Sequence, residues 1–203
     1  MNHDEKARLL IQAGSEALEG RLDAGERLIA ESWPHMPRSR RKGSISQKQR
    51  IRAFLEDGCR CRYTGELLLL PPYMTALSVL WPNTFPAHRN GAAQFAHDAY
   101  WSHLASVDHR DPASLGGAHG SENLVTTSMA RNQLRSRFSL EELGWSERPV
   151  PKDGHWDGGA GLLLRLVETY PHVLDDAKWG KYLRRFVADL RAVLSKHPAL
   201  AVL

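Results

Sequence analysis

Val107–Arg137 reads VDHRDPASLGGAHGSENLVTTSMARNQLRSR, and the rest of the chain is best understood as support for it. The stretch has three parts. Asp108 and His109 end an apolar-leaning run of extended character. A loop rich in Pro and Gly follows, and it closes at Asn123 on the β-type run Leu124-Val125-Thr126-Thr127. A segment of helical character then carries Asn132 and Arg135, one turn apart and so on one face. Gly116-Gly117 permit the positive-φ turns that double the chain back between two strands.

The spacing resembles that of the HNH endonuclease family. Its ββα-metal core has the pattern D-H-x-x-P-x-S-x-G-G, then N-L-V, then N-x-x-K/R. Here the pattern stands as Asp108-His109, Pro112, Ser114, Gly116-Gly117, Asn123-Leu124-Val125, Asn132 and Arg135. Each of these residues alone has an ordinary reading: a turn aspartate, a strand histidine, a loop asparagine, a solvated helix arginine. The complete set at these gaps is what points to chemistry.

The resemblance implies hydrolysis of phosphodiester bonds in DNA, leaving 5′-phosphate and 3′-hydroxyl ends. Asp108 and Asn132 would supply hard oxygen ligands to one divalent cation, Mg²⁺ with Mn²⁺ as the alternative. His109 would be the general base, since an imidazole accepts a proton near neutral pH. Asn123 would hold the loop so that His109 is oriented. Arg135 would meet a phosphate oxygen with its planar fork, and Arg131 and Arg137 would add attraction to the backbone. The alternative reading is a catalytically silent HNH scaffold that binds DNA or assembles with other proteins. His119, within the loop, is expected to be a surface histidine.

Many HNH relatives carry a structural zinc held by two C-x-x-C pairs. In this chain Cys61 matches the first position, but Thr64 stands at the second, and Ser128 and Arg131 stand at the other pair. No structural zinc is therefore expected. Cys59 and Cys61, one residue apart, are poorly spaced for a mutual disulfide.

A hydrophobic share of 42% and a charged share of 25% fit a globular chain with its own core. A net charge of +4 favours a polyanionic partner. No apolar run approaches membrane-spanning length, and MNHDEKARLL lacks a signal-peptide core, so no membrane association and a cytoplasmic location are expected.

The expected fold class is α+β: a small ββα-metal core over 46–145, embedded in helical additions at 1–45 and 146–203. Apolar spacing predicts a helical hairpin over 4–32 broken at Gly20, then a basic loop, Arg38–Gly43, which could follow a DNA backbone. Further helices are expected at 46–57 (capped by Ser46), 72–81, 92–104, after Ser139, and at 161–174 and 176–196. The flanks suggest docking surfaces of a nuclease subunit within a larger system, such as bacterial defence against phage.

Overall fold

Two helices open the chain, α1 (His3–Leu18) and α2 (Leu22–Ser32), turning at Gly20 with φ +82°. They pack closely because Gly25 has no side chain: a Cβ there would lie 2.7 Å from the Ala13 carbonyl oxygen. Leu9 and Ala13 are buried, whereas Leu10, Ile11, Leu18 and Leu22 face outward. Lys6 holds the pair to the body through an ion pair with Glu142 and a cation–π contact on Trp33 at 5.0 Å. The computed structural model describes residues 1, 3–34, 44–88, 92–112, 116–118, 120–136, 138–150 and 155–200. The basic loop Arg38–Gly43, Ser114, His119 and Arg137 lie outside the described residues.

Helix α3 (Gln47–Glu56) begins with the capping box that Ser46 provides. Ser46 Oγ accepts the Gln49 amide at 3.3 Å, and Gln49 Oε1 accepts the Ser46 amide at 2.9 Å. Ile51, Phe54 and Leu55 go into the core, as their spacing predicts. A tight turn follows, with Arg60 bridged to Leu67 and the Cys61 amide donating to the Glu66 carbonyl at 2.9 Å. Two prolines start α4 (Pro71–Leu80), where their missing amides cost nothing.

The single helix expected over 92–104 does not form. Instead there is a 3₁₀ turn, Ala93–Phe95, and one short turn of helix, α5 (Ala99–Ser102). The His97 amide is taken by the Pro86 carbonyl at 2.9 Å rather than by a helical partner. Tyr100 packs against Phe85 and donates to the Met74 carbonyl at 2.9 Å, which fixes the segment on α4.

Strands β1 (Ala105–His109) and β2 (Leu124–Ser128) form an antiparallel pair, and α6 (Met129–Arg135) follows β2 directly. The register sets Asp108 opposite Val125 and His109 opposite Leu124. A two-stranded sheet has two open edges, and this one has partners along both. On the β2 side, the Thr126 amide donates to Asp57 Oδ2 at 2.6 Å and its carbonyl accepts the Arg62 amide at 2.8 Å. On the β1 side, the Ala105 amide donates to the Leu69 carbonyl at 2.9 Å, and the Val107 and His109 carbonyls accept from Asn132 and Arg135.

After Ser139 the reciprocal capping bonds with Glu142 form, yet 140–144 is a turn and not the expected helix. Gly144, at φ +65°, stops propagation, and the Trp145 amide returns to Leu140. Helix α7 (Ala160–Thr169) ends before Pro171, which cannot donate, so Pro171–Asp175 is a 3₁₀ turn. Helix α8 (Gly180–Lys196) buries Leu183, Phe186, Val187, Leu190 and Val193 and turns Arg184, Arg185 and Arg191 outward.

The architecture is α+β, mainly helical around the two-stranded sheet. One hydrophobic cluster joins α3, both strands, α7 and α8. Among the described residues no helix is long and apolar enough to cross a membrane.

Candidate functional site

Helix α6 starts immediately after β2 because Ser128 ends the strand in extended conformation and then caps the helix, its Oγ accepting the Arg131 amide at 3.2 Å. The helix lies against β1. Asn132 Nδ2 donates to Ser106 Oγ at 2.7 Å and to the Val107 carbonyl at 3.2 Å. One turn on, Arg135 reaches Asp108 Oδ2 at 2.7 Å. Ser106 and Asp108 therefore share the strand face that meets α6. Strand alternation sends the half-exposed His109 to the other face.

Asp108 is buried and its two oxygens have different partners. Oδ2 accepts Tyr63 Oη at 2.8 Å as well as Arg135 Nη1. Oδ1 accepts the His109 backbone amide at 2.7 Å. Arg135 was expected at the surface on a phosphate, and the structure corrects this: it is 1% exposed. Its guanidinium donates to Asp108, to the Tyr63 hydroxyl at 2.8 Å, to the His109 carbonyl and to the Arg110 carbonyl at 2.6 Å. A cation so committed is a strut between α6 and the end of β1, out of reach of a ligand in solvent. Tyr63 sits between this guanidinium and Trp145, with both ring contacts at 5.6 Å. Burial first, then the Asp108 charge, pushes its hydroxyl pKa well above the usual value, so it stays a donor.

Asn123 closes the loop between the strands from the inside. Its Oδ1 accepts the Asp111 amide at 2.8 Å, and its Nδ2 donates to the Asp111 carbonyl at 3.0 Å and the Ala118 carbonyl at 2.8 Å. The fit leaves no room at Gly117, where a Cβ would meet the Asp111 oxygen at 1.7 Å. Arg110, next to His109, forks onto Glu147 at 2.9 Å through both Nε and Nη2. Glu147 also takes Arg62 at 2.5 Å, and Arg62 continues to Asp57 at 2.5 Å. Burial would raise the Glu147 carboxyl, but the Arg110 bond and the Arg62 charge outweigh it and hold it below the usual range.

Among the described residues no cluster of three or more His, Cys, Asp or Glu side chains is arranged around a metal. Among the described residues, two motif oxygens remain for a hard cation: Asp108 Oδ1, with one donor, and Asn132 Oδ1, with none. One carboxylate and one amide oxygen suit a divalent cation that keeps most of its waters. Arg131 lies over the Trp145 ring at 5.3 Å. Cys59 and Cys61 are buried free thiols. Cys61 Sγ sits 3.5 Å from Thr127 Oγ1, and Ser128 is occupied as a helix cap.

Sequence reasoning missed Tyr63, Asp57, Arg62 and Glu147 as supports of the site. The run Asp57-Gly58-x-x-Cys61-x-Tyr63, which brings a carboxylate and a phenol into one turn, was the available signal for two of them. Arg62 and Glu147 carry no local pattern, because their partners are distant in sequence. No family model matches the chain, and neither a curated protein nor a solved structure does.

Proposed function

We propose that the chain is a metal-dependent endonuclease of the HNH type that hydrolyses phosphodiester bonds in DNA. One observation supports this reading above the rest. Asp108 and His109 end β1, Asn132 stands on the helix that follows β2, and Asn123 pins the connecting loop from both ends. In this reading Asp108 and Asn132 hold one Mg²⁺ or Mn²⁺ ion. When bound, the ion supplies charge neutralisation at the phosphate and stabilises the departing 3′ oxygen.

The chain's own residues do the rest. His109, on the strand face turned away from α6, accepts a proton from the water whose oxygen attacks phosphorus. The bond from phosphorus to the 3′ oxygen breaks, the phosphate stays on the 5′ side, and the 3′ oxygen leaves as a hydroxyl after taking up a proton. Asn123 fixes the backbone that follows His109. With Arg135 buried, phosphate attraction falls to Arg131 and to Arg137. The net charge of +4 is consistent with a DNA partner.

A second reading is a DNA-binding scaffold without activity. The Asp108–Arg135 pair favours it, because a carboxylate already neutralised by a buried guanidinium attracts a cation less. Supercoiled plasmid with Mg²⁺ or Mn²⁺, beside His109→Ala and an EDTA control, separates the two. The endonuclease reading expects nicked or linear product from the wild type alone. Equal cleavage by His109→Ala would refute His109 as the base. Retarded plasmid with no cleavage in either metal would favour the scaffold.

A further inference from the structure

We infer that Tyr63 is a positioning residue for Asp108, working with Arg135 to aim one carboxylate oxygen, Oδ1, at the cation site. The inference rests on the endonuclease reading and adds to it a residue from outside the motif.

The geometry is asymmetric in a useful way. Two strong donors, the Tyr63 hydroxyl at 2.8 Å and Arg135 Nη1 at 2.7 Å, converge on Oδ2. Oδ1 receives one backbone amide from its own neighbour, at 2.7 Å. A carboxylate held by one oxygen in this manner cannot rotate about its Cβ–Cγ bond without breaking both donors. The Oδ1 lone pair not used by the His109 amide is thereby fixed in direction. Partners of this kind orient a metal ligand and govern affinity without touching the ion.

The two donors also hold each other. Arg135 Nη1 donates to the Tyr63 hydroxyl at 2.8 Å, so that hydroxyl accepts from one partner and donates to the other, leaving its proton one place to go. Arg135 further binds the His109 and Arg110 carbonyls, so the same cluster sets the main chain that bears the candidate base. Tyr63 is delivered by the turn after α3, whose Arg62 amide pairs with Thr126 of β2. A phenol at this place is thus tied to the sheet itself.

Tyr63→Phe removes the hydroxyl and keeps the ring on Trp145 and under Arg135. Mn²⁺ binding to the full chain is followed by the loss of the free-ion electron paramagnetic resonance signal, with thermal melts on each sample. Asp108→Asn is the reference for loss of the ligand, and Arg135→Lys is a second variant should Tyr63→Phe not melt cooperatively. The expected result is Mn²⁺ binding about tenfold weaker in Tyr63→Phe. The Mn²⁺ concentration for half-maximal plasmid nicking should rise by the same factor, while the rate at saturating Mn²⁺ is retained. Arg135→Lys should weaken Mn²⁺ in the same direction. A folded Tyr63→Phe protein that binds Mn²⁺ as tightly as the wild type, while Asp108→Asn does not bind, overturns the positioning role and leaves the endonuclease reading standing. A wild type that binds no Mn²⁺ overturns both.

Discussion

Replacing Arg135 by alanine tests the central departure of the structure from the sequence pattern. The guanidinium is 1% exposed and the Asp108 side chain 11% exposed, so solvent screens their pairing little. Arg135→Ala leaves Asp108 buried with its main counter-charge gone, and leaves the His109 and Arg110 carbonyls without these donors. Breaking a buried pair from one side costs about 3–5 kcal/mol. Against a total stability of about 5–15 kcal/mol for a domain, that is a large share. At about 2–4 °C per kcal/mol for a chain of this size, the melting temperature should fall by roughly 10 °C. Urea unfolding followed by circular dichroism gives the free energy, and a double variant, Asp108→Asn with Arg135→Ala, should recover part of it because the stranded charge is removed. A loss below about 1 kcal/mol, the range of exposed ion pairs, would refute the argument. It would place Arg135 in solvent, free to meet a phosphate.

Asn123→Ala removes three loop-closing hydrogen bonds. At about 1 kcal/mol net for each, urea unfolding should show a loss of about 2–3 kcal/mol, accompanied by slower plasmid nicking. A protein of unchanged stability would mean that the loop holds its shape without this side chain. Glu147 gives a pH dependence of definite sign. Its carboxyl lies below the usual range in the folded protein, so its contribution is present above the unfolded value, about 4.3, and is lost as pH falls through the folded one. The difference in melting temperature between wild type and Glu147→Gln should therefore shrink on acidification below about pH 4; a constant difference across that window would sink the assignment.

Local signals served well where the deciding contacts are close in sequence. Ser46 with Gln49 caps α3 as its residue types require, Gly20 turns the first helix pair, and the period of α8 picks out Leu183, Val187 and Leu190 as core. The strand–loop–strand–helix order around Asn123 was legible for the same reason: turn glycines, β-type residues and a helical segment follow each other directly. Contacts across long separations overrode local pattern elsewhere. Ser139 and Glu142 make their capping bonds, yet Gly144 turns the chain before a helix can propagate, and the other oxygen of the acid binds Lys6 of α1. Residues 92–104 look helical by composition, but Pro86 and Met74 claim the groups of His97 and Tyr100. Arg135 shows the limit most clearly. Its helical position was predictable, whereas its burial depends on Tyr63 approaching from a turn 72 positions away.

The support around β2 bears on any attempt to move the motif elsewhere. Residues 105–135 do not carry their own surroundings: Asp57 and Arg62 satisfy Thr126, Tyr63 holds Asp108, and Glu147 grips Arg110. Grafted alone onto another scaffold, the segment would expose the outer edge of β2 and leave Asp108 Oδ2 with Arg135 but without Tyr63. The transplantable unit is larger, with the 57–66 turn and the 145–148 segment travelling together with the strands. Exchange of this site between proteins would have to carry the whole span 57–148, because its supports stand at the two ends of that span.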